Sequence, residues 1–406
     1  MRIAFVHPRF PSAEGTGATH SSTQIVDGLA NAGHDVCVYC PDSPESESER
    51  SEIQLRRLVG DSSHLHTNTR LNKEIVSRLD ELRKFDIVHS YLTPLIPSIA
   101  RVGENSSVKT FVTLNAYGGT CAKNDLLYRD QKQCQSKSTL KCVNCISRTG
   151  FDSDNGYLYE TASKLLNLRL INTGEQRLEH IDGFRAPSEH VRNNYAQFGY
   201  DADKIAVIPH PVDKEFIIPH ESDFSEPYNL LYVGTLETHK GVDKLVPILS
   251  SLSQTDTEFT LTLVGTGPLE EKLQIQARNH DVAELVDFCG FVPNKELPGV
   301  YASHDCFVYP GIWEEPLGRV YIEALATGTP IVTNTYGSIS NIVGDAGRLT
   351  DGSINDFHNT ILDMTSNNNM SVMSQKASEQ TKLYNVDHII NNLTDMYDNL
   401  GSVQIN

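Results

Sequence analysis

The sequence predicts an α/β protein with parallel β-sheets, organised as two Rossmann-like domains. Residues 307–334, FVYPGIWEEPLGRVYIEALATGTPIVTN, have the pattern strand, loop, helix and strand, which is the unit of a parallel sheet. Residues 2–39 show the same order, with a glycine-containing loop between the strand and the helix. The length of 406 residues is enough for two or three domains with sizeable cores.

The stretch 307–334 also predicts where a ligand binds. Its first apolar run, 307–309, is stopped by a Pro-Gly pair and is expected to be a buried strand that ends in a turn. A helix is predicted from Pro316 to Ala326, followed by a strand at 331–333. Because ligands of parallel α/β sheets bind at the carboxyl ends of the strands, we expect a site at the loop 311–318.

Two carboxylates, Glu315 and Glu323, bracket the start of this helix. The neighbours of Glu323 are apolar, so its carboxylate is expected to be largely buried and to accept hydrogen bonds. One glutamate can then bind hydroxyls of a sugar and the other those of a ribose. The alternative is that Glu323 pairs with an arginine or lysine of the core and that Glu315 is a solvated loop charge.

The backbone amides of residues 317–319 are expected to bind an anion at the helix N-terminus. Pro316 precedes these residues (Leu317, Gly318 and Arg319), and the glycine would let a phosphate approach the backbone closely. Together with the two carboxylates, this pattern suits a nucleotide sugar.

The spacing E-x7-E within P-x-x-W-E-E-P-x-G-R-x-x-x-E-A-x-A-x-G-x-P resembles that of the retaining glycosyltransferases of family 4, which have the GT-B fold. The resemblance implies two Rossmann-like domains with parallel sheets that face each other across a cleft. Residues 1–213 would form the acceptor-side domain, with a cysteine-rich insertion at 121–145. Residues 228–385 would bind the nucleotide-sugar donor, and a helix at 386–400 would pack back onto the first domain.

The resemblance also assigns donor-site roles in the second domain. The family carries an arginine and a lysine in the loop after its first strand, and both bind the diphosphate. Lys240 matches the lysine, whereas Thr235, after Gly234, stands where the arginine is expected. One cation is therefore missing unless Arg319 or His239 compensates.

Two further segments of the second domain resemble those that surround the nucleoside in the family. The turn that begins at Gly265 would lie beside the nucleoside, and backbone groups near Val292 would read the base.

In the first domain, the resemblance points to the loop with Gly15 and Gly17 and to Asn115. The glycine loop would meet the donor diphosphate or the acceptor; the alternative is a tight turn that needs small residues. Asn115 stands where the family usually has a histidine, next to the anomeric carbon of the sugar. Asparagine can donate to a sugar hydroxyl but cannot exchange a proton at neutral pH. The predicted catalytic residues are therefore Glu315, Lys240 and Asn115.

Four cysteines, Cys121, Cys134, Cys142 and Cys145, fall within a window of 25 residues. This spacing suggests a structural tetrathiolate zinc site that fixes a loop. The alternatives are four reduced thiols, two disulfides or an iron–sulfur cluster. No metal is expected to take part in the chemistry.

The other four cysteines are interpreted as structural. Cys37 and Cys40 lie three residues apart on a predicted strand and so face opposite sides. Cys289 and Cys306, in or beside strands, are expected to be packing residues.

The formal net charge of −18 argues against nucleic acid as a partner and allows at most peripheral membrane association. A mixed-charge helix is predicted over 71–84, and its solvated face is favoured over a lipid-binding one. The chain starts with a strand-like run and contains no apolar run of about 18 residues, which favours a cytoplasmic protein, some of it at the inner face of the membrane.

These observations favour a retaining glycosyltransferase that uses a nucleotide-sugar donor and a glycan, a lipid-linked molecule or another hydroxyl acceptor. Assembly of cell-surface polysaccharide or glycoconjugate is the setting that the resemblance implies. The alternative is a catalytically degenerate GT-B protein that binds a nucleotide sugar or a partner without efficient transfer, an interpretation motivated by Thr235 and Asn115.

Overall fold

The computed structural model describes residues 1–10, 17–41, 53–58, 66–129, 132–148, 156–366 and 368–399. The chain divides into two compact units. The first contains Met1–Pro209 together with Ile389–Asn406, and the second contains His210–His388. The turn at 210–213, assigned to the first domain from the sequence, therefore belongs to the second unit.

The first unit is built around a parallel sheet with the order β3-β2-β1-β4-β5-β8-β9, and β6 and β7 form a small antiparallel pair. Its described strands are β1 (Arg2–Val6), β2 (Asp35–Cys40), β3 (Gln54–Arg57), β4 (Ile87–Ser90), β5 (Lys109–Thr113), β6 (Leu127–Tyr128), β7 (Lys132–Gln133), β8 (Gly183–Ala186) and β9 (Ile205–Val207). Its described helices before the second unit are α1 (Gly17–Asn31), α2 (Thr67–Ser77), α3 (Leu79–Leu82), α4 (Ile96–Glu104), α5 (Thr139–Ile146), α6 (Tyr157–Glu175) and α7 (Glu189–Gln197).

The single helix predicted over 71–84 is wrong, because the chain forms α2 and α3 there. The backbone leaves the helical region at Arg78, with φ −101° and ψ 16°. The guanidinium of Arg78 donates to the carbonyl of Arg57, at the end of β3, over 2.9 Å. This long-range contact has no signature in the periodicity of the helix.

The second unit contains a six-stranded parallel sheet with the order β12-β11-β10-β13-β14-β15. Its strands are β10 (Tyr228–Val233), β11 (Phe259–Val264), β12 (Val286–Gly290), β13 (Cys306–Tyr309), β14 (Ile331–Asn334) and β15 (Gly347–Thr350). Its described helices are α8 (Leu245–Leu252), α9 (Glu270–Asn279), α10 (Leu297–Ala302), α11 (Arg319–Ala326), α12 (Ile339–Val343), α13 (Ile354–Thr365) and α14 (Asn369–Gln380). The last helix of the chain is α15 (Val386–Asn399).

The strand order of the second sheet reverses between β10 and β13. The chain builds outward from β10 through β11 to β12, and then from β13 through β14 to β15 on the other side. The two connections that leave β10 and β13 therefore go in opposite directions and open a crevice at the carboxyl ends of these strands. In doubly wound sheets this switch point is where ligands bind.

The predicted strand–loop–helix–strand unit is confirmed as β13, α11 and β14. All residues of β13 and β14 are buried, as the apolar run and its Pro-Gly stop indicated. The helix begins at Arg319, and its inner side chains, such as Ile322 and Leu325, belong to the core of the second unit.

Two smaller features complete the fold. On α15, the hydroxyl of Tyr397 lies 2.6 Å from Nδ1 of His89, on β4. Among the described helices, none has both the length and the apolar composition needed to cross a bilayer.

Candidate functional site

Lys240 and Glu315 meet at the switch point of the second sheet. Lys240 lies in the loop after β10 and Glu315 in the loop after β13, so 75 positions in the sequence separate them. Lys240 Nζ and Glu315 Oε1 form an ion pair in which the two side chains are only 18 % and 11 % exposed. The alternative that Glu315 is a solvated loop charge is therefore wrong.

Aromatic rings surround this ion pair. The hydroxyl of Tyr309 donates to Glu315 Oε1 over 3.2 Å. Lys240 Nζ lies 5.4 Å from the centre of the Trp313 ring and 5.9 Å from that of Tyr309. Cation–π attraction at these distances contributes about 0.5–1 kcal/mol for each exposed pair. The lysine thus has one carboxylate and two ring faces as its neighbours.

The backbone holds the two loops together. The amide of Ile312 donates to the carbonyl of His239 over 3.0 Å, which joins the loop after β13 to that after β10. Gly241 adopts φ +68°, and a Cβ at this position would lie 2.0 Å from the carbonyl oxygen of Pro310. Only glycine fits this close approach, and it fixes the backbone directly after Lys240.

The N-terminus of α11 faces the end of the same loop. Its cap residue, Gly318, has φ +68° and ψ 88°, and in the described structure no side chain caps this helix end. A Cβ on Gly318 would lie 2.6 Å from Cδ2 of Tyr321. Pro316 and Leu317 are buried beneath this turn. The helix dipole therefore presents partial positive charge beside Glu315 and Lys240, where an anion is favoured.

Glu323 is 6 % exposed and lies in a second polar cluster. Its Oε1 is 3.5 Å from Nε of Arg319, and its Oε2 accepts from the Tyr301 hydroxyl over 3.3 Å. Arg319 also pairs with Asp213 over 3.2 Å. Burial raises the pKa of Glu323, and the Arg319 charge opposes this shift. The expected burial of Glu323 is confirmed, and so is its pairing with an arginine.

Neither of the two residues named as substitutes for the cation expected at Thr235 is an uncommitted cation in the described part of the chain. Arg319 already lies against two carboxylates, those of Asp213 and Glu323. Burial, together with the nearby Lys240 charge, lowers the pKa of His239, so its imidazole is neutral at neutral pH. Lys240 therefore remains the cation that is best placed to meet an anionic ligand at the switch point.

The loops after β10 and β11 touch through their glycines. A Cβ on Gly265 would lie 1.9 Å from the carbonyl oxygen of Gly234. The carbonyl of Thr235 accepts from the Tyr232 hydroxyl over 2.9 Å, while its side chain is exposed. Val292 follows the edge strand β12 and is half-buried. These residues line the same edge of the sheet as Lys240, because all of them follow the carboxyl ends of neighbouring parallel strands.

The described candidates in the first unit lie at the start of a helix and after the end of a strand. Gly17 begins α1, whereas Gly15 lies outside the described residues. Asn115 follows β5, and its Oδ1 accepts from the Tyr91 hydroxyl over 3.3 Å. This bond orients the amide so that its nitrogen stays available as a donor.

The four clustered cysteines line one cavity in the first unit, and each of them is reduced. The backbone amide of Arg129 donates to the sulfur of Cys145 over 3.1 Å. Within the described ranges, however, no group of three or more His, Cys, Asp or Glu side chains is arranged to hold a metal ion. The side-chain positions thus do not fit a bound zinc ion, and the zinc site stays a prediction.

Three of the remaining four cysteines are buried, and one is exposed. Cys37, Cys40 and Cys306 are buried, as expected of packing residues. Cys289 is exposed, so its interpretation as a packing residue is wrong. It lies on β12, an edge strand, where one face of the strand is open to solvent.

Sequence reasoning missed four residues of the second unit that contact the predicted ones. They are Tyr309 and Trp313 at Glu315 and Lys240, and Tyr301 and Asp213 at Glu323 and Arg319. Tyr309 had a local signal, because it is the last residue of a strand that enters the site. Tyr301 and Asp213 had none, because they reach the site from distant parts of the chain.

Two family profiles match this chain and together span most of it. Residues 15–216 match Glycosyltransferase Family 4, and residues 213–381 match Glycosyl transferases group 1. A glycogen synthase of Mycobacterium tuberculosis is 39 % identical over 117 residues, which is 29 % of this chain and 28 % of that protein. The GDP-mannose-dependent alpha-(1-6)-phosphatidylinositol monomannoside mannosyltransferase of Mycolicibacterium smegmatis is 31 % identical over 182 residues, which is 41 % of this chain and 48 % of that protein. The chain thus spans less than half of the length of these curated relatives.

Solved structures match over nearly the whole chain. Anabaena Alr3699/HepE in complex with UDP superimposes with a TM-score of 0.71 at 16 % identity, covering 98 % of this chain and 100 % of that one. Sucrose-phosphate synthase from Thermosynechococcus elongatus gives a TM-score of 0.70 at 18 % identity and covers 100 % of both chains. With both profiles and the two parallel sheets, the chain belongs to the group 1 glycosyltransferases of the GT-B fold.

Proposed function

We propose that this protein transfers a sugar, with retention of anomeric configuration, from a nucleotide-diphosphate sugar to a hydroxyl of a glycan or lipid-linked acceptor. The observation that carries the proposal is the meeting of Lys240 and Glu315 at the switch point of the second sheet, beside the N-terminus of α11. A cation, a helix N-terminus and a partly buried carboxylate suit a ligand with both phosphates and hydroxyls.

Donor binding would exchange the partners of this ion pair. The diphosphate takes Lys240, together with the amides around Gly318, as its positive partners. Glu315 then loses its contact with Lys240 and accepts hydrogen bonds from the sugar hydroxyls instead. The hydroxyl of Tyr309 continues to hold the carboxylate of Glu315 in position. Glu323, held by Arg319 and Tyr301, accepts from the ribose. The Anabaena neighbour is in complex with UDP, which supports a nucleoside diphosphate as the ligand class.

In the transfer step, the bond between the anomeric carbon and the diphosphate oxygen breaks, and a bond to the acceptor oxygen forms on the same face of the sugar. The acceptor proton passes to the departing diphosphate oxygen, so the products are the glycosylated acceptor and the nucleoside diphosphate. Lys240 and the helix N-terminus stabilise the negative charge that grows on the leaving group. The scheme needs no proton transfer by Asn115, because an amide does not exchange a proton at neutral pH.

The names of relatives, rather than a described pocket, support the acceptor and the setting of this proposal. Relatives named as glycogen synthase and as a phosphatidylinositol monomannoside mannosyltransferase act on a glycan and on a lipid-linked molecule, respectively. The proposal sets the reaction in the cytoplasm during assembly of cell-surface polysaccharide or glycoconjugate. When the acceptor is lipid-linked, the reaction occurs at the inner face of the membrane.

The second candidate is a degenerate protein that binds the nucleotide sugar but transfers little. Thr235 in place of a cation and Asn115 in place of a histidine favour this alternative. The engagement of Arg319 with Asp213 and Glu323 adds to it, because Arg319 then does not serve the diphosphate as a second cation.

The fluorescence of Trp313 provides a direct test of donor binding. It is the only tryptophan of the chain, and its ring lies 5.4 Å from Lys240 Nζ. A titration with UDP-, GDP- and ADP-sugars should change this fluorescence saturably for one donor. Glu323→Ala should abolish the change, whereas Glu271→Ala, at an exposed position on α9, should leave it intact. If no nucleotide sugar or nucleoside diphosphate alters the signal of the folded protein, the donor site does not exist.

Turnover separates the two candidates once the donor is known. Release of nucleoside diphosphate in the presence of glycan and lipid-linked acceptors should be measured for the wild type and for Glu315→Gln. Turnover that falls by about 100-fold or more in the variant supports the transferase, because the carboxylate that positions the sugar is lost. Donor binding without turnover on any acceptor favours the degenerate protein.

A further inference from the structure

Large apolar side chains are exposed on two neighbouring helices of the first unit, α5 and α6. Leu140 is 85 % exposed, Leu158 81 % and Tyr159 60 %. Val143, Leu165 and Leu166 are also exposed. The helices pack against each other, and the hydroxyl of Tyr157 donates to the carbonyl of Ser147 over 2.6 Å. The exposed side chains thus belong to one region, which we call the α5–α6 surface.

The helix α6 has apolar residues on both of its sides. Its inner side is formed by Leu168, Ile171 and Gly174, which are buried. On its outer side, Leu158 and Leu165 lie seven positions apart, which is two helical turns, and so share one face. A helix at a protein–water boundary normally has polar residues on its outer side. The pattern indicates that the outer side meets another apolar phase.

A basic groove adjoins the same helix. It lies between α2, α4 and α6, and its lining includes Lys73, Arg101, Arg169 and Arg177 but no aspartate or glutamate. Leu166 also lines this groove, so the groove is continuous with the exposed leucines. Arg177 pairs with Glu104 over 2.6 Å. The other three basic side chains are exposed and point to no carboxylate in the described part of the chain.

The charge of this region opposes that of the whole protein. Residues 132–177 contain seven lysines and arginines but only four aspartates and glutamates, which gives a net charge of +3. The complete chain has a net charge of −18. A basic segment of this size in an acidic protein attracts an anionic surface locally, because screening limits the influence of distant charges to about 8 Å at physiological salt.

We propose that the α5–α6 surface and the adjoining basic groove dock this protein on an anionic lipid bilayer. The exposed leucines insert at the boundary between headgroups and acyl chains, while the groove binds headgroup phosphates. This inference goes beyond the proposed function, since docking needs neither the donor nor the acceptor. It differs from the sequence-based preference for a solvated face on the segment 71–84, of which Lys73 lines the groove.

Charge complementarity favours a bilayer over a second copy of the chain. A two-fold symmetric dimer through this surface would bring two basic regions of the same sign against each other. Juxtaposed like charges oppose such an association. An anionic bilayer both neutralises these charges and provides an apolar phase for the leucines.

The apolar part of the proposal is tested by flotation of the full-length protein with vesicles of phosphatidylcholine, with and without phosphatidylglycerol. The wild type should float only with the anionic vesicles. Leu158→Ser combined with Leu165→Ser should weaken binding by at least about tenfold, because two leucines no longer leave water. The matched control combines Val372→Ser and Leu383→Ser, which are 54 % and 53 % exposed in the second unit. It should bind like the wild type.

The charged part is tested in the same assay. Lys73→Gln combined with Arg169→Gln should weaken binding by about thirtyfold, since each cation near an anionic surface contributes about 1 kcal/mol. The control, Lys272→Gln with Arg278→Gln on the exposed side of α9, removes the same charge and should have no effect.

Three results would overturn the proposal. One is the absence of flotation with anionic vesicles, and another is equal binding by the variants and their controls. The third is a concentration-dependent dimer in light scattering that only the leucine variant dissolves, because the surface would then hold a second copy. Donor binding, followed by Trp313 fluorescence, should be unchanged in all four variants. Failure of docking is thus distinguishable from failure of the transferase proposal.

Discussion

Replacing Lys240 by methionine and Glu315 by glutamine, singly and together, measures how strongly the two loops of the proposed donor site are coupled. Lys240→Met leaves Glu315, which is 8 % exposed, without its cation. In the described structure the Tyr309 hydroxyl then remains as a side-chain donor to this carboxylate. Loss of one partner of a buried pair costs about 3–5 kcal/mol, and the residual exposure here reduces the expected loss of stability to about 3 kcal/mol.

The reverse change should cost less. In Glu315→Gln, the ammonium of Lys240 keeps the ring faces of Trp313 and Tyr309, and 18 % of its side chain is exposed to water. We expect a loss of about 1–2 kcal/mol. The double variant removes both charges and should lose only about 2–3 kcal/mol, so that the coupling free energy is about 2 kcal/mol.

Urea unfolding followed by Trp313 fluorescence is the appropriate assay. The first unit contains no tryptophan, so the signal reports the free energy of unfolding of the second unit. Lys272→Met, at an exposed position of α9, serves as the control and should change this free energy by less than about 0.5 kcal/mol. If the effects of the single variants add to within about 0.5 kcal/mol, the two side chains are not coupled and the ion pair is not part of the site.

Three further predictions concern the glycine, the buried glutamate and the cysteines. Gly241→Ala should lower the free energy of unfolding by about 3 kcal/mol or more, because its Cβ would meet the Pro310 carbonyl at 2.0 Å. Gly290→Ala, at φ +64° with no atom within 4 Å, should cost only about 1 kcal/mol, and equal losses by tryptophan fluorescence would contradict the argument. Burial raises the pKa of Glu323 above its ordinary 4.5, so the folded chain retains this proton at pH values where the unfolded chain releases it. The stability of the wild type relative to Glu323→Gln should therefore fall as the pH rises from 4.5 to the raised pKa; a difference that does not vary with pH would refute this. The zinc site requires the four thiols that line one cavity to move together from their described positions; elemental analysis should then find about one zinc per chain, lost in Cys142→Ser, and a folded metal-free wild type would exclude the site.

Much of the candidate site could be predicted from the sequence because its elements follow local rules. An apolar run stopped by Pro-Gly predicts a strand that ends at a loop, and a glycine before an amphipathic segment predicts a helix N-terminus. These rules were sufficient for β13, α11 and β14. The burial of Glu323 was predictable for the same reason, since Val320, Ile322, Ala324, Leu325 and Ala326 around it in the helix are apolar.

Pairing between distant segments was not accessible in this way. The break at Arg78 and the exposure of Cys289 depend on which strand lies at a sheet edge or beside a helix. Tyr301 and Asp213 reach Glu323 and Arg319 through space, and no spacing in the sequence encodes that approach.

The sequence by itself predicted the α/β class, the positions of the loops after β10 and β13, and Lys240, Glu315 and Glu323 as the candidate residues of the proposed donor site. These properties follow from residue type and periodicity over a few neighbouring positions. Only the tertiary structure decided that Lys240 and Glu315 form an ion pair and that Arg319 is held by two carboxylates. The order of strands in the sheet sets which loops meet, and that order arises from the packing of whole elements.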